Sequence, residues 1–204
     1  MKKMMFNDRY GLTQAIISGR KTVTRRVIKD AWWPIYKIEA EEIKGDIIHV
    51  IANNGKLVIE RKCPYKIGEI VAVAQSYMDL DYSDTALDRD PKDIMNVRGT
   101  LKQSAGWNNK MFVRAEACKH QIQITDIRIE RLQDISDDYF KEGITLLASA
   151  DDGRIQWGYA DEHLRYYMFD SPREAFASLI DKVSGRGTWD RNPFVWRIEF
   201  ELVK

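Results

Sequence analysis

Apolar residues along the chain change their period several times, and each change marks an element. Leu12, Ala15, Ile16 and Gly19 follow the i, i+3, i+4, i+7 spacing of one helix face, which predicts an amphipathic helix over about residues 9–18. Glycine enters left-handed backbone without a Cβ penalty, so Gly19 is placed to end that helix. Residues 21–26 are then extended, a setting that suits Val and Thr. In a strand, Lys21, Val23 and Arg25 point to one side and Thr22, Thr24 and Arg26 to the other. Asn53-Asn54-Gly55 lies between the β-prone runs 46–51 and 56–60, a hairpin signal because Asn and Gly tolerate positive φ. After the turn Lys66-Ile67-Gly68-Glu69, residues 70–74 read as a buried strand.

From about residue 79 to 110 the apolar period fades and Asp, Asn, Gly and Ser dominate, which predicts a long insertion. Regular structure returns at Met111-Phe112-Val113-Arg114 and continues over residues 121–132. There Ile122 and Ile124 share one parity and Ile127 and Ile129 the other, so the strand must switch faces near Thr125-Asp126, as at a bulge. Ser136 starts a short helix that ends at Gly143, and residues 149–168 form a second insertion. Ser171-Pro172-Arg173-Glu174 combines a capping serine, proline at the first helical position and glutamate at the third. The helix it opens runs through Ala175, Phe176, Leu179, Ile180 and Val183 to Gly185. The last strand puts Phe194, Trp196, Ile198, Phe200 and Leu202 on one face, against Arg197, Glu199 and Glu201 on the other. Strands and helices do not alternate regularly, so the pattern is α+β, a small mixed β-barrel with flanking helices and two loop insertions, rather than a doubly wound sheet.

Composition narrows this to one domain with insertions: 204 residues, 44% of them hydrophobic, are enough for a sizeable core. The formal net charge of +1 gives no global pull towards nucleic acid or anionic membrane. Recognition of phosphate must therefore be local, and the local distribution is uneven. Residues 20–29 carry five bases (Arg20, Lys21, Arg25, Arg26, Lys29) and no acid, whereas residues 79–90 carry five aspartates. Cys63 and Cys118 form no CxxC pattern and read as buried reduced thiols. His49, His120 and His163 lack ligand spacing, so no metal and no cofactor are expected. No serine lies in a G-x-S-x-G context, and the glycines make no P-loop. No apolar run has the length of a signal peptide or membrane span, so a cytoplasmic protein is expected.

Four pieces together resemble the ASCH (activating-signal-cointegrator homology) family of the PUA-like superfamily. These are Gly19-x-Lys21-Thr22-x-Thr24-Arg25-Arg26 after a helix, Ile67-Gly68-Glu69 before a buried strand, the step from Leu132 to Glu142-Gly143-Ile144, and the strand opening Asn192-Pro193-Phe194-Val195-Trp196. Their order and spacing carry the resemblance, which is to bacterial and phage members of the group. It implies a PUA-like barrel and a partner that is RNA or a modified nucleoside, with no membrane. In small ASCH members that hydrolyse N4-acetylcytidine, a Lys, a Thr and a Glu are catalytic. Lys21 and Thr24 match the first two, and Glu142 matches the third through its Glu-Gly register.

The residues themselves suit such a site. Fixed cations with a hydroxyl, here Lys21, Thr24, Arg25 and Arg26, hold a phosphate or polarise a carbonyl, or are simply a solvated basic edge. A lysine desolvated beside another cation loses basicity, a threonine hydroxyl is a candidate nucleophile, and a carboxylate relays protons. Arg20 and Thr22 extend the binding segment, and Glu69, Gln75 and Glu142 are expected to wall the cleft. Tyr77, Trp32 and Trp33 are candidates to stack on a base, although aromatics at such places more often cover a core. A protein-interaction module using the insertions is the third reading.

Overall fold

The computed structural model describes residues 1–28, 38–44, 47–52, 57–83, 87–90, 93–136, 138–148 and 153–203. In chain order the elements are β1 (Lys3–Met4), α1 (Leu12–Ile17), β2 (Val23–Val27), β3 (Ile38–Lys44), β4 (Ile47–Ala52), β5 (Leu57–Lys62), β6 (Ile70–Val73), β7 (Leu87–Asp90) and β8 (Asp93–Thr100). There follow β9 (Gln121–Arg131), β10 (Thr145–Ala148), β11 (Ile155–Ala160), β12 (Tyr166–Phe169), α2 (Pro172–Ser184), α3 (Thr188–Arg191) and β13 (Phe194–Leu202). This is a sheet-rich α+β protein. None of its sheets closes on itself among the described residues, so the expected barrel is not formed by the described strands. None of the described helices is long and apolar enough to cross a membrane.

The chain divides into two compact units. One comprises Met1–Phe6, Ile70–Ile122 and Val203–Lys204. Within it β1 runs parallel to β6, with Lys3 opposite Ala72 and Met4 opposite Val73. Ala72, Leu80, Val113, Ala115 and Cys118 form its buried cluster. The Lys3 ammonium donates to the carbonyls of Lys110 and Met111, each at 2.7 Å, and to that of Val113. Residues 79–110, read as an irregular insertion, contain the antiparallel pair β7–β8 and the buried Leu80 and Leu101. Antiparallel pairing is satisfied by backbone groups, so the hairpin leaves little apolar period in the sequence.

The other unit comprises Asn7–Glu69 and Gln123–Leu202. It contains β9–β13–β2, in that order, and the three-stranded sheets β3–β4–β5 and β10–β11–β12. Strands β4 and β5 pair antiparallel with Ala52 opposite Leu57, as a hairpin requires, whereas Asn53-Asn54-Gly55 itself lies outside the described residues. Along β9 the buried parity changes between Ile124 and Ile127 across exposed Thr125 and half-buried Asp126, where the pattern places it. The second expected loop, residues 149–168, holds β11 and most of β12.

Helices follow their caps. The Ser171 hydroxyl accepts from the Glu174 amide at 3.2 Å, and α2 stops at Gly185. Its buried face is Ala175, Phe176, Leu179 and Ile180, and Val183 is exposed. Burying a side chain such as Phe, Leu or Ile contributes about 1.5–3 kcal/mol. The first helix is shorter than its period suggests. A 3-10 turn at Asp8–Tyr10 ends at Gly11, whose φ of 64° is left-handed, and α1 begins only after it. Similarly, the helix expected from Ser136 is a single 3-10 turn, Phe140–Glu142, ended by Gly143 at φ 97°.

Tyr159 of β11 is buried and shares a hydrogen bond of 2.9 Å with Ser178 of α2. Burial pushes its phenol from the ordinary value near 10 up to about 12, against the opposing effect of Ser178. The folded pKa is raised, so this contribution to stability is complete below pH ~10 and is lost as the pH rises towards ~12. Thermal unfolding followed across that window is expected to show a falling Tm that flattens in Tyr159→Phe.

Candidate functional site

The segment after Gly19 is held by backbone bonds on every side. Gly19, at φ 73°, donates to Ile16 at 2.8 Å, and the Lys21 amide donates back to Ala15 at 2.9 Å. The Thr22 amide donates to Lys141 and its carbonyl accepts from Phe200, both at 2.9 Å. The helix therefore ends before the basic segment, as the sequence pattern requires. Strand β2 then pairs antiparallel with β13, setting Arg25 opposite Arg197 and Thr24 opposite Ile198.

Lys21 leaves this turn to become one of the most buried charged groups, 3% exposed, as is Glu142. Its ammonium donates to Glu142 Oε2 at 2.5 Å, to the Val23 carbonyl at 2.6 Å and to the Glu142 carbonyl at 3.1 Å. All three donors are used. Arg25 Nη1 donates to Glu142 Oε1 at 2.9 Å and its Nε to Glu130 Oε1 at 2.6 Å. Like charges directly across a strand pair repel, and Asp138 relieves the Arg25–Arg197 opposition. Its Oδ2 lies 3.8 Å from Arg25 Nη2 and 2.8 Å from Arg197 Nη2.

Burial lowers the Lys21 pKa most, Glu142 opposes it by charge and hydrogen bond, and the charges of Arg26 and Arg25 lower it further. Arg26 is also depressed by burial, with Tyr65 and Glu142 acting against the shift. Such an arrangement fixes the charges against one another, and can take up or release a proton at Lys21 with Glu142 as its partner.

The structure thus brings Lys21, Arg25 and Glu142 together. Thr24 is buried on β2, with its side chain on the strand face opposite that of Arg25, and its hydroxyl forms no hydrogen bond among the described residues. Arg26 is half-buried opposite Trp196, and Thr22 is half-buried. Arg20 is exposed, its Nε donating to Ser18 Oγ at 3.1 Å. Glu69 closes a turn by accepting from the Lys66 amide at 3.0 Å. Gln75 and Tyr77 belong to the other unit. There, Gln75 accepts from the Lys119 amide at 3.1 Å, and Tyr77 packs against the cluster around Ala72 and meets Tyr82 edge-on. Trp32 and Trp33 lie outside the described residues.

Glu130, Asp138 and Arg197 were not singled out by sequence, although they complete the cluster. Arg197 alternates with core residues on the last strand, a position that reads as a solvated face. Only the cross-strand register reveals that it faces Arg25. Among the described residues no group of three or more metal-ligating side chains is present. Comparison of the chain with protein-family models, curated proteins and solved structures gave no match.

Proposed function

We propose that this protein is an ASCH-type, PUA-like domain that binds a nucleobase or nucleoside, free or within RNA, around Lys21, Arg25 and Glu142. The observation that carries this reading is the neutralisation of the buried cations. Lys21 is paired with Glu142, and Arg25 with Glu142 and Glu130. A track for the phosphate backbone needs cations that exchange counterions for phosphates. A neutral, hydrogen-bonding ring suits a charge-balanced cluster better. The ASCH resemblance of residues 19–26 supplies the ligand class, and the α+β architecture is compatible with it.

A second reading, an amidohydrolase for an acylated nucleobase such as N4-acetylcytidine, is favoured by the lowered pKa of Lys21 beside Glu142. In that reaction water is added across the amide, releasing acetate and the free base. Thr24→Val discriminates, because it keeps shape and removes the hydroxyl. A nucleophilic threonine is expected to lose turnover by orders of magnitude with a modest change in affinity. A threonine that only hydrogen-bonds the ligand is expected to cost about 0.5–1.5 kcal/mol of affinity. Calorimetric titration with cytidine and N4-acetylcytidine, beside a chromatographic assay of deacetylation, reads both. Wild-type protein that binds no nucleoside and no RNA would remove the main reading.

A further inference from the structure

Beside α1 and the β11–β12 hairpin lies a cavity of about 350 Å³, within the size range of small-molecule sites. Tyr10, Tyr159 and Tyr166 give it aromatic walls, and Arg20 and Gln14 give it polar edges. The position of Tyr159 is fixed by stacking on Tyr167 at 5.1 Å and by an edge contact with Tyr10 at 5.9 Å. Two apolar side chains at the cavity are conspicuously wet: Leu164 is 73% exposed and Tyr166 is 60% exposed.

The hairpin tip is held in a strained form. Asp161 Oδ1 accepts from the amides of His163 and Arg165 at 2.9 and 3.0 Å, and its Oδ2 pairs with Arg165 Nη2 at 2.7 Å. This locks Leu164 at φ 58°, a region where a leucine is unfavourable and a glycine would be at ease. The tip therefore sets an apolar side chain at the cavity from a backbone conformation that costs energy.

Charge indicates what enters. Two carboxylates line the cavity: Asp161 is neutralised by Arg165, and Glu162, at the exposed rim, lies 3.6 Å from His163 Nε2. Arg20, unlike Lys21 and Arg25, pairs with no carboxylate among the described residues. Gly143 also lines the cavity, and a Cβ on it would lie 3.9 Å from Lys21 Cδ, so the cavity adjoins the buried cluster through this glycine.

We infer that this cavity binds a flat heteroaromatic ring carrying an anionic group, with the ring against the tyrosines and the anion at Arg20. That the natural ligand is a nucleotide rests on the reading above; the ring-plus-anion chemistry stands on the cavity alone. The test uses calorimetry with two probes, cytidine 5′-monophosphate and indole-3-acetate, the second sharing the chemistry without being a nucleotide. Tyr166→Ala and Arg20→Ala change exposed side chains, and far-UV circular dichroism confirms that they fold. Both probes are expected to bind, each about tenfold more weakly to either variant. If cytidine 5′-monophosphate binds wild type and variants alike, the cavity inference fails and the nucleoside reading stands. If indole-3-acetate alone binds, and does so through Tyr166 and Arg20, the cavity stands and its natural ligand is not a cytidine nucleotide. If neither binds, the cavity inference falls, and the nucleoside reading is decided by the nucleoside and RNA titrations above.

Discussion

Glu142→Ala is expected to destabilise the protein by about 3–5 kcal/mol, the usual cost of leaving buried charge without its partner. Glu142 receives Lys21 on one carboxylate oxygen and Arg25 on the other. Arg25 keeps Glu130, but Lys21 keeps only the two carbonyl acceptors. The cost therefore falls on a buried ammonium, which burial already pushes towards its neutral form. Replacing both members of the pair, as Lys21→Met with Glu142→Leu, is expected to restore most of the loss, since apolar residues of similar volume often match a buried ion pair in stability. Urea unfolding of wild type, the Glu142→Ala single variant and the double variant checks this. A double variant no more stable than Glu142→Ala would mean that the pair is needed to specify the fold rather than being tolerated by it.

Gly158→Ala is expected to be the most damaging single methyl in the β10–β11–β12 sheet, costing about 3 kcal/mol or more. Gly158 sits mid-sheet, opposite Thr145 on one side and Met168 on the other. A Cβ there would lie 2.0 Å from the Tyr167 carbonyl oxygen and 2.9 Å from Leu147 Cδ1. The first contact is with backbone, so no rotamer change relieves it, and strand β12 must move. Thermal unfolding gives the size of the effect. A wild-type Tm in Gly158→Ala would show that β11 and β12 separate without cost.

How legible this was depends on which interactions the chain writes locally. The α2 helix was plain because its cap, proline and apolar face lie within adjacent residues, Ser171 to Gly185. Gly19 was equally plain as a stop. The Lys21 and Glu142 positions came through the ASCH resemblance, and the structure sets them 2.5 Å apart. By contrast, Asp138, Glu130 and Arg197 join the cluster through strand register, which sequence spacing does not encode. Strands β7, β8, β11 and β12 leave only a weak apolar period, so the sequence pattern predicts loops where the structure has paired strands. Gly11 was hidden inside a run that kept helical spacing, although the backbone there is left-handed.

The make-up of the smaller unit bears on the order of events during synthesis. Its β1 comes from the first residues of the chain, its bulk from residues 70–122, and a final contribution from Val203, whose amide donates to Gln121 at 2.9 Å. Some eighty intervening residues, 123–202, belong to the other unit. On the ribosome the first strand therefore waits for residue 70, and the last of these bonds closes only after residue 203 has emerged. Contacts this distant along the chain carry a loop-closure cost that slows folding. The smaller unit is therefore completed only after residues 123–202 have been made, and a chain halted before residue 203 lacks the bond from Val203 to the Gln121 carbonyl at the start of β9.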